Sequence, residues 1–284
     1  MKKIIPAMIL FLIHFTVYAN AGTKMQVYTM GAFEEGALVF LAADTVNIRS
    51  VPAIGNNIID NLPVGYQVKV EKRSDATYTV DGLKASWYQV SYNGAKGFLR
   101  GFVWGGFLSV ASLPVQYKGN PAIILFAIKS AKNTGTIPVL AMIAGGGKII
   151  SKTSLEAIGI LDGDRAFSYT IAAELHGNRG FAGVSNVITL DFNYPACGFP
   201  FGTIVLVYNG SEIICGPHSL NMVEGGVFHS FENFIFPDEK KGIKNGLVKI
   251  MTHEEFDDAK KKYILKETKQ SSCAWTGTRF TEMK

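Results

Sequence analysis

The chain has 284 residues, of which 48% are hydrophobic, and this length is typical of about two domains with buried cores. Its 28 basic and 23 acidic residues give a formal net charge of +5 and are scattered along the sequence, which argues against a nucleic-acid-binding protein. The 30 glycines, several of them in Asn-Gly or Asp-Gly pairs, favour a β-rich fold with tight turns.

The first 21 residues have the pattern of a secretory signal peptide. Lys2 and Lys3 form a basic start, an apolar stretch runs from Ile4 to Val17, and Ala19-Asn20-Ala21 is a small-residue cleavage site. An uncleaved membrane anchor is the alternative, but the apolar stretch is shorter than the roughly 20 residues of a membrane span. We expect cleavage after Ala21 and an exported protein, periplasmic or secreted, with no stable membrane span.

Residues 22–43 are predicted to form a lead-in strand that pairs with the edge of the following domain. That domain, predicted at 44–112, contains a proline-terminated extended segment and a strand whose Asn93-Gly94 pair favours a type I′ hairpin turn. Its four ordered motifs are Asn47-Ile48-Arg49-Ser50-Val51-Pro52, Leu62-Pro63-Val64-Gly65, Trp87-Tyr88-Gln89-Val90 and Gly97-Phe98-Leu99.

In this order, the motifs resemble the bacterial SH3-like (SH3b) domains over residues of about 44–110. The resemblance implies a small β-barrel that binds a cell-wall fragment (peptidoglycan) or a protein peptide in a shallow aromatic groove. Together with the signal peptide, it suggests a protein of the bacterial envelope. The ligand-binding residues that it implies are Asn47, Arg49, Tyr66, Tyr88, Tyr92 and Trp104.

Individual residues of this set have competing interpretations. Arg49 could pair with a carboxylate of a stem peptide or brace a local turn. We expect Trp104 to be exposed, because it lies in the glycine-rich segment from Gly101 to Gly106. Trp87 and Phe98 are expected in the core.

The remainder of the chain is predicted to be a linker at 113–120 and a β-rich domain at 121–284, either a sandwich or a meandering antiparallel sheet. Pro114, Gly119 and Pro121 indicate the linker, and strand-like runs bounded by turn residues indicate the second domain. Its clearest hairpin runs from Thr203 to Cys215, and only Glu254 to Lys262 has a helix-like composition. We recognise no family in the C-terminal half.

Three cysteines occur in the sequence, Cys197, Cys215 and Cys273. An oxidising compartment permits disulfides. A type I′ hairpin would place Cys215 opposite Ile204, where a bend could bring Cys197 beside it. A Cys197–Cys215 disulfide, free buried thiols and a pair that includes Cys273 are therefore all open.

No catalytic, metal or cofactor site is predicted. Pro200, close after Cys197, opposes the helix start that a cysteine peptidase requires, no G-x-S-x-G motif is present, and no histidines are spaced as a ligand pair. Three hypotheses follow: a non-catalytic envelope binding module, a structural or assembly protein whose SH3-like domain docks on a partner, and an enzyme with an unrecognised site. For the enzyme, Glu174 and His176 share one strand face and are the best candidate pair.

Overall fold

A computed structural model describes residues 28–29, 32–95, 97–129, 137–157, 169–194 and 196–283. The predicted signal peptide and the first residues of the lead-in lie outside these ranges. Apart from one 3-10 turn at Gly105–Phe107, the regular structure of the described residues is antiparallel β-sheet, so the predicted all-β class is confirmed. Within the described residues, no helix has both the length and the apolar character that crossing a membrane requires.

The first sheet is a six-stranded barrel with strand order β2-β5-β6-β7-β3-β4. Register shifts in the β3–β4 and β5–β6 pairs are bulges, which bend strands and help a sheet to curl. The segment from Lys72 to Ser86 forms the outer part of the β5–β6 hairpin, which turns at Asp81-Gly82. The strands are β2 (Leu38–Phe40), β3 (Thr45–Arg49), β4 (Ile58–Pro63), β5 (Gln67–Val80), β6 (Leu83–Gly94) and β7 (Gly97–Trp104).

The β6–β7 hairpin forms as predicted, but its turn lies two residues later than Asn93-Gly94. Gly94 pairs with Gly97, and the positive φ of 102° belongs to Gly97. Glycine is needed at position 94 because other side chains approach its backbone closely: a Cβ there would lie 2.8 Å from Leu99 Cδ1 and 3.0 Å from Asp60 Oδ2. The glycine was correctly associated with the hairpin, but for the wrong physical reason.

The predicted linker at 113–120 is instead a β-hairpin. Lys118 and Gly119 have φ values of 49° and 80° and form its two-residue turn. Pro114 is exposed on β8, an edge strand, where its missing N–H costs no ladder hydrogen bond. This second sheet has the order β11-β10-β9-β8, with β8 (Ala111–Tyr117), β9 (Asn120–Ile128), β10 (Ile137–Gly145) and β11 (Lys148–Ala157).

The third sheet combines the lead-in with the C-terminal half of the chain. Tyr28 and Thr29 form β1, which pairs with β12 rather than with the barrel, whereas the later lead-in strand β2 does pair with β5 as expected. The order is β1-β12-β13-β14-β15. Its other strands are β12 (Thr170–Leu175), β13 (Asn186–Asn193), β14 (Gly202–Tyr208) and β15 (Ile213–His218).

The fourth sheet, in the order β16-β17-β18-β19-β20, is built from long strands. The helix-like composition of Glu254–Lys262 does not correspond to a helix, because this segment is the end of β18 and the turn that follows it. Asp257 pairs with Lys262, and the neighbouring Phe256 and Tyr263 rings are 5.1 Å apart, which favours the hairpin. The strands are β16 (Met222–Glu224), β17 (Phe228–Ile235), β18 (Gly246–Asp257), β19 (Lys262–Trp275) and β20 (Phe280–Glu282).

One hydrophobic core runs from the barrel into the second and third sheets. Val46 and Val110 belong to the same buried cluster as Ile124, Ile188 and Leu206. A second cluster, which includes Val205, Leu247 and Trp275, packs the opposite face of the third sheet against the fourth. The barrel is therefore covered by the rest of the chain on one side.

Candidate functional site

Four of the six residues predicted to bind a ligand are buried. Tyr88 is fully enclosed, Tyr92 and Trp104 are each 4% exposed, and Arg49 is 8% exposed. Asn47 and Tyr66 are partly exposed. The shallow groove of aromatic side chains expected from the resemblance is therefore not open at the surface of this structure, because most of its rings fill the barrel core.

Trp104 is in β7 opposite Trp87, not in an exposed loop. Its indole Nε1 donates hydrogen bonds to the carbonyl oxygens of Tyr78 (2.9 Å) and Ala85 (3.2 Å). Gly106 is needed beside it, since a Cβ there would lie 2.2 Å from the indole ring. Of the glycines on which the predicted exposure was based, Gly106 makes room for the buried ring. Of the two rings expected in the core, Trp87 is buried, whereas Phe98 is 63% exposed.

The tyrosines are held by burial and by neighbouring polar groups. Burial, reinforced by the nearby Asp60 carboxylate, raises the pKa of Tyr92 to about 12. Tyr66 donates a hydrogen bond to the Asn93 carbonyl, and burial raises the pKa of its phenol. Tyr88 accepts a hydrogen bond from the Phe33 backbone N–H at 3.3 Å. Each of these phenols therefore stays protonated at neutral pH.

Arg49 braces the loop between β3 and β4. Its Nη1 donates to the Gly55 carbonyl at 2.7 Å and to Asn57 Oδ1 at 2.8 Å. Asn57 in turn donates to the Ala53 carbonyl at 3.0 Å, and its own carbonyl accepts from Ser50 N–H at 2.9 Å. The geometry matches the turn-brace interpretation of Arg49 and gives residues 50–57 a defined conformation.

The braced loop and the adjacent strands present an apolar surface, which we call the loop surface. Four aliphatic side chains on it are 45–54% exposed, and Phe98, which is 63% exposed, is on β7, the strand that pairs with β3. Arg49 pairs with Phe102, so the chain that follows Arg49 runs beside the start of β7, and Arg100 places its guanidinium 5.6 Å from the Phe98 ring centre. The aliphatic members are Val51, Ile54, Ile58 and Ile59.

The sequence contained a signal for this surface that the prediction missed. Ile58 and Ile59 are adjacent, and adjacent residues of a regular strand cannot both face one core. In the structure Ile58 pairs with Arg49 and Asp60 with Ile48, so Ile59 is the extra residue of a bulge. The bulge leaves both isoleucines about half exposed.

Comparison with known families identifies part of the chain. Residues 44–109 match the family model described as bacterial SH3 domain. This segment is a bacterial SH3 domain. The predicted resemblance over about 44–110 is confirmed, and the loop surface lies within the SH3 domain. Comparisons with curated proteins and with solved structures give no match.

Glu174 and His176 lie at the edge of a polar row on the third sheet. His176 Nδ1 is 3.9 Å from Glu174 Oε1, and its Nε2 is 3.0 Å from Thr189 Oγ1. Asp191 accepts a hydrogen bond from Thr203, while burial raises the pKa of its carboxyl. A cleft of about 370 Å³ between the third and fourth sheets is lined by other residues, including Phe234 and Lys249. The polar row thus has proton-transfer groups but does not line that cleft.

The cysteines are all free, so neither the Cys197–Cys215 disulfide nor a pair that includes Cys273 is present in the structure, and the free thiols of Cys197 and Cys215 are exposed rather than buried. The β14–β15 turn has four residues, since Asn209 Oδ1 accepts from the N–H groups of both Ser211 and Glu212, and this shifts Cys215 opposite Leu206 instead of Ile204. Cys197 lies elsewhere, 3.9 Å from the position of a Cβ on Gly225. In the described part of the chain, no group of three His, Cys, Asp or Glu side chains is arranged to hold a metal ion.

Proposed function

We propose that the protein is an exported, non-catalytic binding module of the bacterial envelope, and that its SH3 domain binds a peptide at the loop surface. The peptide is either a stem peptide of peptidoglycan or a segment of a partner protein. The observation that carries the proposal is the loop surface itself: half-exposed aliphatic side chains on a loop that a buried arginine holds in place. Bacterial SH3 domains often bind peptidoglycan or proteins, which supports a binding role.

A peptide fits this surface better than a sugar chain. The aliphatic side chains of Val51, Ile54 and Ile58 offer no hydrogen-bonding groups to sugar hydroxyls, but they can bury the side chains or methyl groups of a peptide. The guanidinium of Arg100 beside Phe98 can donate charge-assisted hydrogen bonds to a carboxylate. A loop ordered before binding also reduces the entropy that the ligand must offset.

The proposal is tested with the full-length chain and its V51S/I54S double variant. Burying each half-exposed aliphatic side chain contributes about 1 kcal/mol, so the variant should bind at least about tenfold more weakly. Binding is measured on purified sacculi and, by calorimetry, with a soluble disaccharide carrying a stem peptide. Val227→Ser is the matched control, since Val227 is 55% exposed and lies outside the SH3 domain.

Each outcome has a defined meaning. Retention on sacculi that the double variant loses, and that V227S keeps, supports binding at the loop surface. Equal binding by the double variant would refute the surface, and no binding of either wall probe by the wild-type protein would refute the wall ligand. A protein ligand would instead give one stoichiometric cross-linked partner in cells, lost in the same double variant.

A second candidate function, that of a structural or assembly protein, is favoured by the shared core. The SH3 domain contributes Val46, Tyr88 and Leu108 to a cluster that continues into the following sheets. A domain that shares its core with the neighbouring sheets is part of one larger folded unit. A stoichiometric partner that is cross-linked equally in the wild-type protein and the double variant, together with no binding to sacculi, would favour this candidate.

A further inference from the structure

A row of partly exposed aromatic rings crosses one face of the fourth sheet, far along the chain from the SH3 domain. His229 and Phe231 are 5.8 Å apart on β17, His229 stacks on Tyr263 of β19 at 3.6 Å, and Tyr263 contacts Phe256 of β18 at 5.1 Å. Phe231, His229, Tyr263 and Phe256, which we call the aromatic row, are all partly exposed. In the part of the chain that the structure describes, none of these rings belongs to a buried core cluster.

The strand register places the four rings on a single face. His229 pairs with Glu254, Phe231 with Thr252, and Phe256 with Tyr263, so alternation directs these side chains to the same side. Phe228 and His253 point to the opposite face, where their rings are 5.7 Å apart. The opposite face is the one that continues into the contact with the third sheet.

Two rings at the centre of the row are held in position before any ligand binds. The Tyr263 hydroxyl accepts a hydrogen bond from the Gly226 N–H at 2.8 Å, and His229 Nδ1 is 3.6 Å from Glu254 Oε2. Accepting this bond leaves the Tyr263 hydroxyl with a proton to donate outward. Rigid aromatic side chains with a polar tip supply contact area at low entropic cost.

The charge of this face distinguishes between kinds of ligand. Among the described residues of the row and their cross-strand partners, Glu254 is the one carboxylate, and it pairs with His229. The lysines of these strands belong to the other face: Lys249 pairs with Phe234 in register, and Lys266 contacts Glu255. Without cations a row of rings does not suit a nucleic acid, whose binding depends on neutralising phosphates. A ligand with apolar faces and no net charge complements it.

From this we infer that the aromatic row is a second binding site, which takes a neutral oligosaccharide, for which an oligomer of β-linked N-acetyl amino sugars serves as the probe. Each sugar ring has a flat C–H face that packs on an aromatic ring, and its hydroxyl and acetamido groups can accept from Tyr263 or donate to Glu254. The row extends across three strands, so it can contact more than one sugar unit. This site lies outside the SH3 domain and is independent of the loop surface.

The test uses the full-length chain and a hexamer of β-1,4-linked N-acetylglucosamine as the probe, with binding measured by calorimetry. We expect a Kd of about 0.1–1 mM, as is reasonable for a shallow site. Tyr263→Ala should raise the Kd about tenfold, because it removes one of the two central rings of the row. Phe228→Ala removes a ring from the opposite face of the same sheet, so it should change the Kd by less than about twofold.

Further controls separate a failure to fold, and a failure of the loop surface, from a failure of this site. Circular dichroism checks folding, and if Tyr263→Ala does not fold, Phe231→Ala tests the end of the row in its place. The V51S/I54S variant should bind the hexamer like the wild-type protein, so failure of the loop surface does not remove this site. No saturable binding up to about 10 mM hexamer, an equal loss in Phe228→Ala, or binding of a single-stranded oligonucleotide in preference to the sugar would overturn the inference.

Discussion

Replacing Arg49 with methionine removes the brace of the β3–β4 loop while keeping a side chain of similar length. The guanidinium donates to the Gly55 carbonyl at 2.7 Å and to Asn57 Oδ1 at 2.8 Å. Hydrogen bonds to a charged group contribute about 1.5–3 kcal/mol each, but both acceptors lie on a loop that water can reach after the change. We therefore expect the free energy of unfolding to fall by about 2–3 kcal/mol rather than by the sum of both bonds.

The assay is urea unfolding of the full-length chain, combined with hydrogen exchange of the Ser50 amide, which donates to the Asn57 carbonyl. Asn57→Ala removes the acceptor for Arg49 and an exposed donor to the Ala53 carbonyl, and should cost about 1 kcal/mol. Adding it to Arg49→Met should cost little more, since the two side chains share one hydrogen bond. An Arg49→Met protein that unfolds like the wild type, with unchanged exchange at Ser50, would refute the brace.

Three further predictions concern the SH3 domain. Gly101→Ala should destabilise the barrel by more than about 2 kcal/mol in urea unfolding, because the new Cβ would lie 3.0 Å from the Arg49 carbonyl and 2.4 Å from Ile48 Cγ2; near-neutral stability would contradict this close approach. Trp104→Phe should lower the melting temperature, because it removes the hydrogen bonds of the indole and leaves a cavity; an unchanged melting temperature would indicate that the ring is not packed as described. The pKa of Tyr92 is raised in the folded state to about 12, so the contribution of its protonated phenol to stability is complete below the unfolded pKa near 10 and is lost between about pH 10 and 12. The free energy of unfolding of Tyr92→Phe should therefore decline less steeply with pH in that window than that of the wild type. Parallel declines in the two proteins would count against this prediction.

Much of the barrel could be predicted because its signals are local. Asp81-Gly82 forms the turn expected of that pair, and the Trp87 strand pairs with the strand after Gly97. Burial was harder to predict, since it depends on partners that are distant in sequence. Trp104 packs against Tyr78 and donates hydrogen bonds to the carbonyl oxygens of Tyr78 and Ala85, and none of these contacts follows from the glycines around it.

Outside the barrel, strand positions were predicted better than their connections. The runs around Ile137, Val187 and Thr203 are strands, as their β-branched composition indicates. The prediction of a linker at 113–120 was wrong because Pro114 was interpreted as a residue that ends regular structure, whereas an edge strand tolerates proline. The aromatic row was missed for a related reason: Phe231 and Tyr263 are separated by 32 positions, and only the register of three strands brings His229 between them.

The pairing of β1 with β12 constrains how the chain reaches its final form. Thr29 lies opposite Thr170, so the two partners are separated by about 140 residues of chain. During synthesis the first strand must wait until the whole barrel and the second sheet have emerged before its partner exists. From the emergence of β12 until β1 docks, the outer edge of β12 is open, and any delay exposes it to pairing with another molecule. Docking of this short strand is therefore expected to be a late step, and slow compared with closure of the local hairpins.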